Sequence, residues 1–152
     1  MNHKTAIRND GKRLYFFPST QSVETYNGRI IPTSRVSSDA IVLDLNVVNA
    51  KDIGKVTRDS AKIIFENSSF NTGVGKIVKQ PKIKGMRRNH IIATFIEKGS
   101  PGSGVVINMI TTLGKRSMLF TKRIGAFDHS ITDQELGETV LKAFAAADEI
   151  KD

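Results

Sequence analysis

Residues 105–123 decide the fold that the sequence predicts, and they read VVINMITTLGKRSMLFTKR. Two strand-like runs, Val105–Thr112 and Arg116–Arg123, flank Gly114-Lys115. Glycine in the first place of a two-residue loop suits a type II′ turn, whose twist matches the strands that it joins. One side of the hairpin is then largely apolar, so we expect that side to be buried. The turn sets a register with four facing pairs: Asn108 with Thr121, Met109 with Phe120, Ile110 with Leu119 and Thr111 with Met118.

The neighbouring runs extend this hairpin into a sheet. Val74–Ile83 predicts an edge strand with a bulge near Pro81, because proline cannot donate to a strand ladder. Ile91–Ile96 is apolar on both sides, which is typical of a central strand with an element packed on each face. The short links between the strands favour an antiparallel meander. A C-terminal helix follows, with Thr132 and Glu135 as its capping box and Leu136, Val140, Ala143, Phe144 and Ala147 as its buried stripe.

The first half of the chain predicts three more strands and one helix. Residues 1–12 are polar and are expected to form a flexible N-terminus. Asn49 and Asp52 form a capping-box pattern that begins a helix reaching about Glu66. In that helix Gly54 costs roughly 1 kcal/mol relative to alanine unless packing requires it. Before the helix, the sequence predicts a short strand over Arg13–Phe17 that Pro18 ends, and then a loop over Ser19–Asn27. A second short strand is predicted over Gly28–Pro32 and a third strand over Ala40–Val48.

This order of elements, β-β-β-α-β-β-β-β-α, predicts an α+β fold in which one antiparallel sheet of about six or seven strands is flanked by two α-helices. Residues 13–150 are expected to form a single domain. The chain of 152 residues is long enough to bury a sizeable core. No apolar run approaches the ~18 residues of a transmembrane helix, and the first residues do not resemble a signal peptide.

The positive charge of the chain is concentrated in one segment. The net charge is +8, and residues 76–90 hold six of the 23 positive side chains and no acid. Such a segment attracts a phosphate backbone, an anionic membrane surface or an acidic protein. The alternative interpretation of this segment is a solvated edge strand whose lysines only keep it soluble. No aromatic residue is interleaved with these charges to stack on bases, which counts against nucleic acid. The candidate contact residues are Lys76, Lys79, Lys82, Lys84, Arg87 and Arg88, together with Lys122 and Arg123.

The sequence offers little to catalysis. It has no cysteine, which excludes disulfides, thiol catalysis and cysteine metal sites. The histidines His3, His90 and His129 have no metal-ligand spacing. The run Asp128-His129-Ser130 contains the residue types of a catalytic triad, but neighbours in a loop cannot normally relay a proton along that line. We therefore expect no enzyme, no metal and no cofactor, and a cleft uniting a histidine with a carboxylate would revive the hydrolase alternative.

The order and pattern of these elements resemble the PsbP-like fold. That family includes photosystem II extrinsic proteins, a yeast Ran-binding import factor and bacterial DcrB-like relatives of the envelope. The likeness is carried by Ile41–Val48, the helix Ile53–Phe65, the hairpin through Gly114, and Leu136–Phe144. The resemblance implies a non-enzymatic role in binding a macromolecule or assisting an assembly, and it favours a periplasmic or exported location. The family has no shared catalytic residues, so none is carried over.

Two functional hypotheses follow. The first is a binding or accessory module that recognises a protein partner with an acidic surface, in an envelope or secretion-related assembly. The second is an anion-binding or nucleic-acid-binding protein that uses the basic segment 76–90. Loss of binding in high salt favours the second hypothesis, because contacts to phosphates are strongly salt-dependent.

Overall fold

The computed structural model describes residues 3–61, 74–82, 89–113 and 118–150, without the side chains of 20–24, 32–35, 112, 113 and 118. Eight strands in these ranges form one antiparallel sheet, in the order β5-β4-β2-β1-β6-β7-β8 with β3 paired to β2. The α+β class is confirmed, with one strand more than the sequence predicts. The elements are β1 His3–Asn9, β2 Arg13–Tyr26, β3 Arg29–Val36, β4 Ala40–Asp44, α1 Ala50–Ala61, β5 Lys76–Val78, β6 His90–Ile96, β7 Gly104–Leu113, β8 Met118–Phe127 and α2 Asp133–Asp148.

The prediction of a flexible N-terminus is wrong for residues 3–9. These residues form β1, which lies in the middle of the sheet and pairs with β2 on one side and β6 on the other. Thr5 and Ile7 are fully buried on one side of β1, while Lys4 and Arg8 are half-buried on the other. Ile7 is the only large apolar residue of the strand. The period-2 pattern is therefore weak in the sequence although the strand is central.

The strand prediction for Arg13–Phe17 is too short, because β2 runs through Pro18. The neighbour of β2 on one side changes at this point, from β4, where Phe16 faces Ile41, to β3, where Ser19 faces Val36. The missing N–H of Pro18 therefore falls where no ladder bond is needed, and its carbonyl accepts a bond of 2.8 Å from the Ser37 N–H.

Residues 19–26 form a strand, although the sequence predicts a loop over Ser19–Asn27. They continue β2 to Tyr26, and the turn Asn27-Gly28 returns the chain along β3. Both turn residues have positive φ, 50° and 74°, which is the requirement of a type I′ hairpin turn. Asn-Gly was the sequence signal for this hairpin.

β4 ends at Asp44, four residues before the predicted end. The Asp44 carbonyl accepts from the N–H groups of Val47 and Val48, and its side chain accepts from the Asn46 N–H at 2.9 Å. These bonds turn the chain, so Val47 is 80% exposed and not part of the predicted apolar strand face.

Both predicted helix caps are confirmed. Asn49 Oδ1 accepts from the Asp52 N–H at 2.9 Å, and Asp52 Oδ2 accepts from the Asn49 N–H at 3.2 Å. Thr132 Oγ1 accepts from the Glu135 N–H at 3.1 Å. The predicted end of the first helix near Glu66 lies outside the described residues. Every predicted core residue of the helices that the structure describes is buried: Ile53, Val56, Ser60, Ala61, Leu136, Val140, Ala143, Phe144 and Ala147.

β5 occupies a sheet edge as predicted, but it is only three residues long and pairs with β4 rather than β6. The predicted meander is therefore limited to β6, β7 and β8. Pro81 lies beyond the end of β5 rather than in a bulge within it. Next to Pro81, Gln80 has a positive φ of 45°, so the chain has already left the extended conformation there.

The predicted register of the 105–123 hairpin is wrong by two residues. Met109 faces Lys122 rather than Phe120, and the last facing pair is Leu113 with Met118. Residues 114–117 lie between the strands and outside the described residues. A shift of two residues keeps every side chain on its predicted side of the sheet, so Ile107 and Met109 are fully buried as expected.

Candidate functional site

Both helices pack on the same face of the sheet. The core that they form with the sheet contains alternate residues of the central strands, among them Ile7, Phe16 and Ile91. The described helices therefore cover one face of β6, and neither of them covers the other. A separate, smaller cluster on the opposite side of the sheet consists of Tyr15, Phe17 and Ala40, with Ala6 and Val42 against it.

We call that opposite side the helix-free face. The strand registers and the side-chain alternation arrange it in three rows across the sheet. The first row is Lys76, Val42, Tyr15, Arg8, His90, Ile110 and Thr121; the second is Val78, Ala40, Phe17, Ala6, Ile92, Asn108 and Arg123; the third is Ser19, Lys4, Thr94, Val106 and Ala126.

Within its three rows, the charge on the helix-free face has one sign. Lys4 and Arg8 lie at its centre and are half-buried, while Lys76 and Arg123 lie near its two ends and are exposed. None of the positions in the three rows carries Asp or Glu. The nearest strand carboxylate is that of Asp44, in the row beyond Tyr15, where it faces Arg13. Four cations in three rows that contain no Asp or Glu create a positive surface potential there.

The two aromatic rings of this face are not available for stacking. Tyr15 and Phe17 are only 9% and 7% exposed. The Tyr15 hydroxyl donates to Asp10 Oδ2 at 2.8 Å, in the turn between β1 and β2. Burial, followed by this bond to a carboxylate, raises the pKa of Tyr15. The apolar side chains left at the surface of the face are aliphatic, such as Val78, which is 37% exposed, and the half-buried Ile92 and Ile110.

Asp10 holds the turn beside this face. Its Oδ1 accepts from the backbone N–H groups of Lys12 at 2.9 Å and Arg13 at 2.7 Å. Partial burial on its own raises the pKa of Asp10, but these bonds and the Tyr15 hydroxyl outweigh it and leave the pKa below its ordinary value. The carboxylate is thus committed to the turn.

The structure places the two groups of candidate residues, those of the basic segment and those of the hairpin, at opposite edges of the sheet. Lys76 lies on β5, and Lys79 and Lys82 follow it, all three exposed. Lys122 and Arg123 lie on β8 at the opposite edge, six strand spacings or about 29 Å away. Of Lys122 and Arg123, only Arg123 lies on the helix-free face with Lys76. Lys84, Arg87 and Arg88 lie outside the described residues.

Sequence reasoning missed Lys4 and Arg8, which join the two ends of the face. Both alternate with Thr5 and Ile7 along β1. This alternation was the available signal, but it was obscured because only one of the inward residues is a large apolar one.

The loop Asp128-His129-Ser130, which we call the histidine loop, makes contacts that stabilise the fold. His129 Nε2 lies 2.6 Å from the Ile96 carbonyl, and Asp128 Oδ1 accepts from the Ser130 N–H at 2.9 Å. That backbone bond is the main reason why the pKa of Asp128 is lowered. These contacts hold the approach to α2 and do not join Asp128, His129 and Ser130 in a proton relay.

One cleft opens beside the histidine loop. It has a volume of about 560 Å³ and is lined largely by small and apolar residues, with Arg123 and Asp128 as its charged groups. Among the described residues, no cluster of three or more histidines and carboxylates is arranged to hold a metal ion. No helix in the described ranges is both long enough and apolar enough to cross a membrane.

Comparison with other proteins adds no relative. No protein-family model, no curated protein and no solved structure matches this chain. A function is therefore inferred from the surface itself.

Proposed function

We propose that this protein is a non-enzymatic binding module that recognises an acidic protein partner through the helix-free face. The observation that carries the proposal is that Lys4, Arg8, Lys76 and Arg123 lie in three rows that span seven strands and contain no Asp or Glu. Such a face accelerates the encounter with an acidic surface and opposes association with basic ones. It also opposes pairing of two copies of this chain, whose net charge is +8.

The chemistry of the face favours a protein over a nucleic acid. A single strand is usually held by bases stacked on aromatic rings, and the two rings of this face are packed among their neighbours. The groups that do reach the surface include aliphatic side chains and cations, which suit the apolar and acidic side chains of a protein. The resemblance of the predicted element order to the PsbP-like fold favours the same class of role, a macromolecular binding or accessory protein.

The test compares three anionic probes with the native chain: fluorescein-labelled poly-L-glutamate, a labelled twenty-nucleotide thymidine strand, and phosphatidylserine vesicles. The affinity is measured by anisotropy for the two polymers and by co-sedimentation for the vesicles, at 50 and 200 mM NaCl. We expect the tightest binding to poly-L-glutamate.

A pair of charge-reversal variants localises the binding. Lys76→Glu with Arg123→Glu changes two exposed residues of the face, and Lys51→Glu with Lys142→Glu changes two exposed residues of the helices by the same charge. We expect the face variant to weaken poly-L-glutamate binding about tenfold, equivalent to about 1.4 kcal/mol, and the helix variant to weaken it far less. Equal effects of the two variants contradict the proposal, as does tighter binding to the oligonucleotide or to vesicles.

A further inference from the structure

Three strands of the described sheet have an edge that no other described strand covers: β3, β5 and β8. β5 is three residues long, and the backbone turns away at Gln80. β3 has Pro32 in its interior, and proline has no backbone N–H to donate to an added strand. Short length and an internal proline are the usual protections of an edge against an added strand. β8 has ten residues and no proline.

The first half of β8 is a regular strand. Each residue from Met118 to Arg123 faces one residue of β7, and the register changes only beyond Arg123, between Ile107 and Asn108 on β7. The outer edge of this half therefore offers six residues in regular extended conformation. A β-bulge can itself protect an edge from an added strand. Here the bulge lies beyond Arg123, so it shortens the edge that is open to pairing but leaves the first six residues regular.

The side chains of this half repeat one pattern on both sides of the sheet. On the helix-free side Leu119 precedes Arg123, and on the other side Phe120 precedes Lys122. Leu119 is 72% exposed and Phe120 is 38% exposed. An added strand therefore meets two apolar side chains and then two cations along its length.

The cleft described above shares residues with β8. Arg123 belongs to the regular half of β8 and also lines the cleft, together with Ala126 and Phe127 farther along the same strand. The cleft also borders β7 through Val105 and Val106.

We infer that β8 binds an extended segment of the acidic partner as an additional strand. The segment places apolar residues against Leu119 and Phe120 and acidic residues against Lys122 and Arg123. Backbone hydrogen bonds supply the general affinity in this mode of recognition, and the side chains on alternating sides supply the specificity. This inference rests on the proposed function, since it specifies how the acidic partner is held.

The probes are two synthetic capped peptides of seven residues. One has two glutamates followed by threonine and two valines between terminal serines, and the other has the reverse sequence. They present the same side chains to β8 in antiparallel and parallel orientation. Binding is measured by titration calorimetry, and protection of the β8 amides is measured by hydrogen exchange. We expect one orientation to bind and to slow exchange at alternate residues between Leu119 and Arg123.

N-methylation provides the decisive comparison. Alternate N–H groups of a strand point to the same edge, so methylating the even residues and methylating the odd residues block opposite edges of the peptide. We expect one methylated form to lose affinity by at least about tenfold and the other to bind like the parent peptide. Equal binding of both forms overturns the inference, as does the absence of binding by either orientation.

Two exposed sites give a matched pair of variants. Leu119→Ser removes an apolar contact of the inferred site, while Leu141→Ser removes one of the exposed apolar residues of α2. We expect only Leu119→Ser to weaken peptide binding. If poly-L-glutamate binds through the helix-free face but both methylated peptides bind equally, the strand-addition inference fails and the proposed function stands. If no acidic probe binds, both fail.

Discussion

Gly54 of α1 and Gly137 of α2 lie against each other where the two helices cross. A Cβ on Gly137 would lie 3.0 Å from the Gly54 backbone nitrogen and only 1.6 Å from the Ala50 carbonyl oxygen. A Cβ on Gly54 would lie 1.8 Å from the Asp133 carbonyl oxygen. The obstacles are backbone atoms, which cannot rotate away. The two glycines therefore set the distance between the helices that cover one face of the sheet.

Replacing either glycine by alanine should destabilise the fold. Alanine gains up to about 1 kcal/mol in helix propensity, but the overlap forces the helices apart, and we expect a net loss of about 1–3 kcal/mol in the free energy of unfolding. Urea denaturation followed by circular dichroism measures this loss. Lys142→Ala, at an exposed site of α2, serves as the control and should be nearly neutral. The double variant should cost less than the sum, because one separation of the helices relieves both overlaps.

The capping box of α1 gives a second prediction. Asn49→Ala removes the acceptor for the Asp52 N–H and should lower the free energy of unfolding by about 1 kcal/mol, whereas Asn49→Asp should largely retain it. Urea denaturation of both variants measures the difference. Equal losses in the two would show that the side-chain acceptor does not stabilise the helix.

The central position of β1 gives a third prediction. Ile7 is fully buried and faces Phe16 on β2 and Ile91 on β6. Ile7→Ala should cost about 2–5 kcal/mol, whereas Ile30→Ala, at a residue 74% exposed, should change stability by less than about 0.5 kcal/mol. Thermal and urea unfolding measure both changes. A nearly neutral Ile7→Ala would mean that β1 is dispensable.

The turn at Asp10 makes stability depend on pH in a defined direction. The pKa of Asp10 is depressed in the folded protein, so its stabilisation is complete above the ordinary value of 3.8 and is lost as the pH falls through the folded-state pKa. Asp10→Ala should cost about 1–2 kcal/mol at pH 7, and the difference from the native chain should shrink towards pH 2. Urea denaturation across this range measures the difference, and a constant difference contradicts the role of the carboxylate. Tyr15→Phe, which removes one of the three donors to Asp10, should have a smaller effect.

The sequence predicts the helices and the fold class well because their signals are local. Capping pairs such as Thr132 with Glu135 and a stripe at helical spacing involve residues within a few turns of each other. The sidedness of the β7–β8 hairpin was also predictable, since side-chain alternation survives a shift of two residues. The register itself depends on a loop geometry that the order of residues did not define.

The missing parts of the prediction are those that depend on distant neighbours. Pro18 reads as the end of a strand until the change of partner from β4 to β3 is known. β1 lacks a strong apolar pattern, and its central position comes from pairing with β6, more than eighty residues away in the chain. The helix-free face follows from this pairing, because β1 supplies Lys4 and Arg8. The sequence could predict the basic segment that contains Lys76, but it could not predict that Lys76 shares one face of the sheet with Lys4, Arg8 and Arg123.

The most direct test of the central claim is a map of the bound surface. The ¹⁵N-labelled protein is titrated with poly-L-glutamate at 50 mM NaCl, and the amide shift of each residue is followed. The account predicts that the largest shifts fall on the strands at Lys4, Arg8, Lys76 and Arg123 and that the exposed helix residues Lys51 and Lys142 stay unshifted. Shifts concentrated on the helices, or no saturable shifts on the helix-free face, would contradict it.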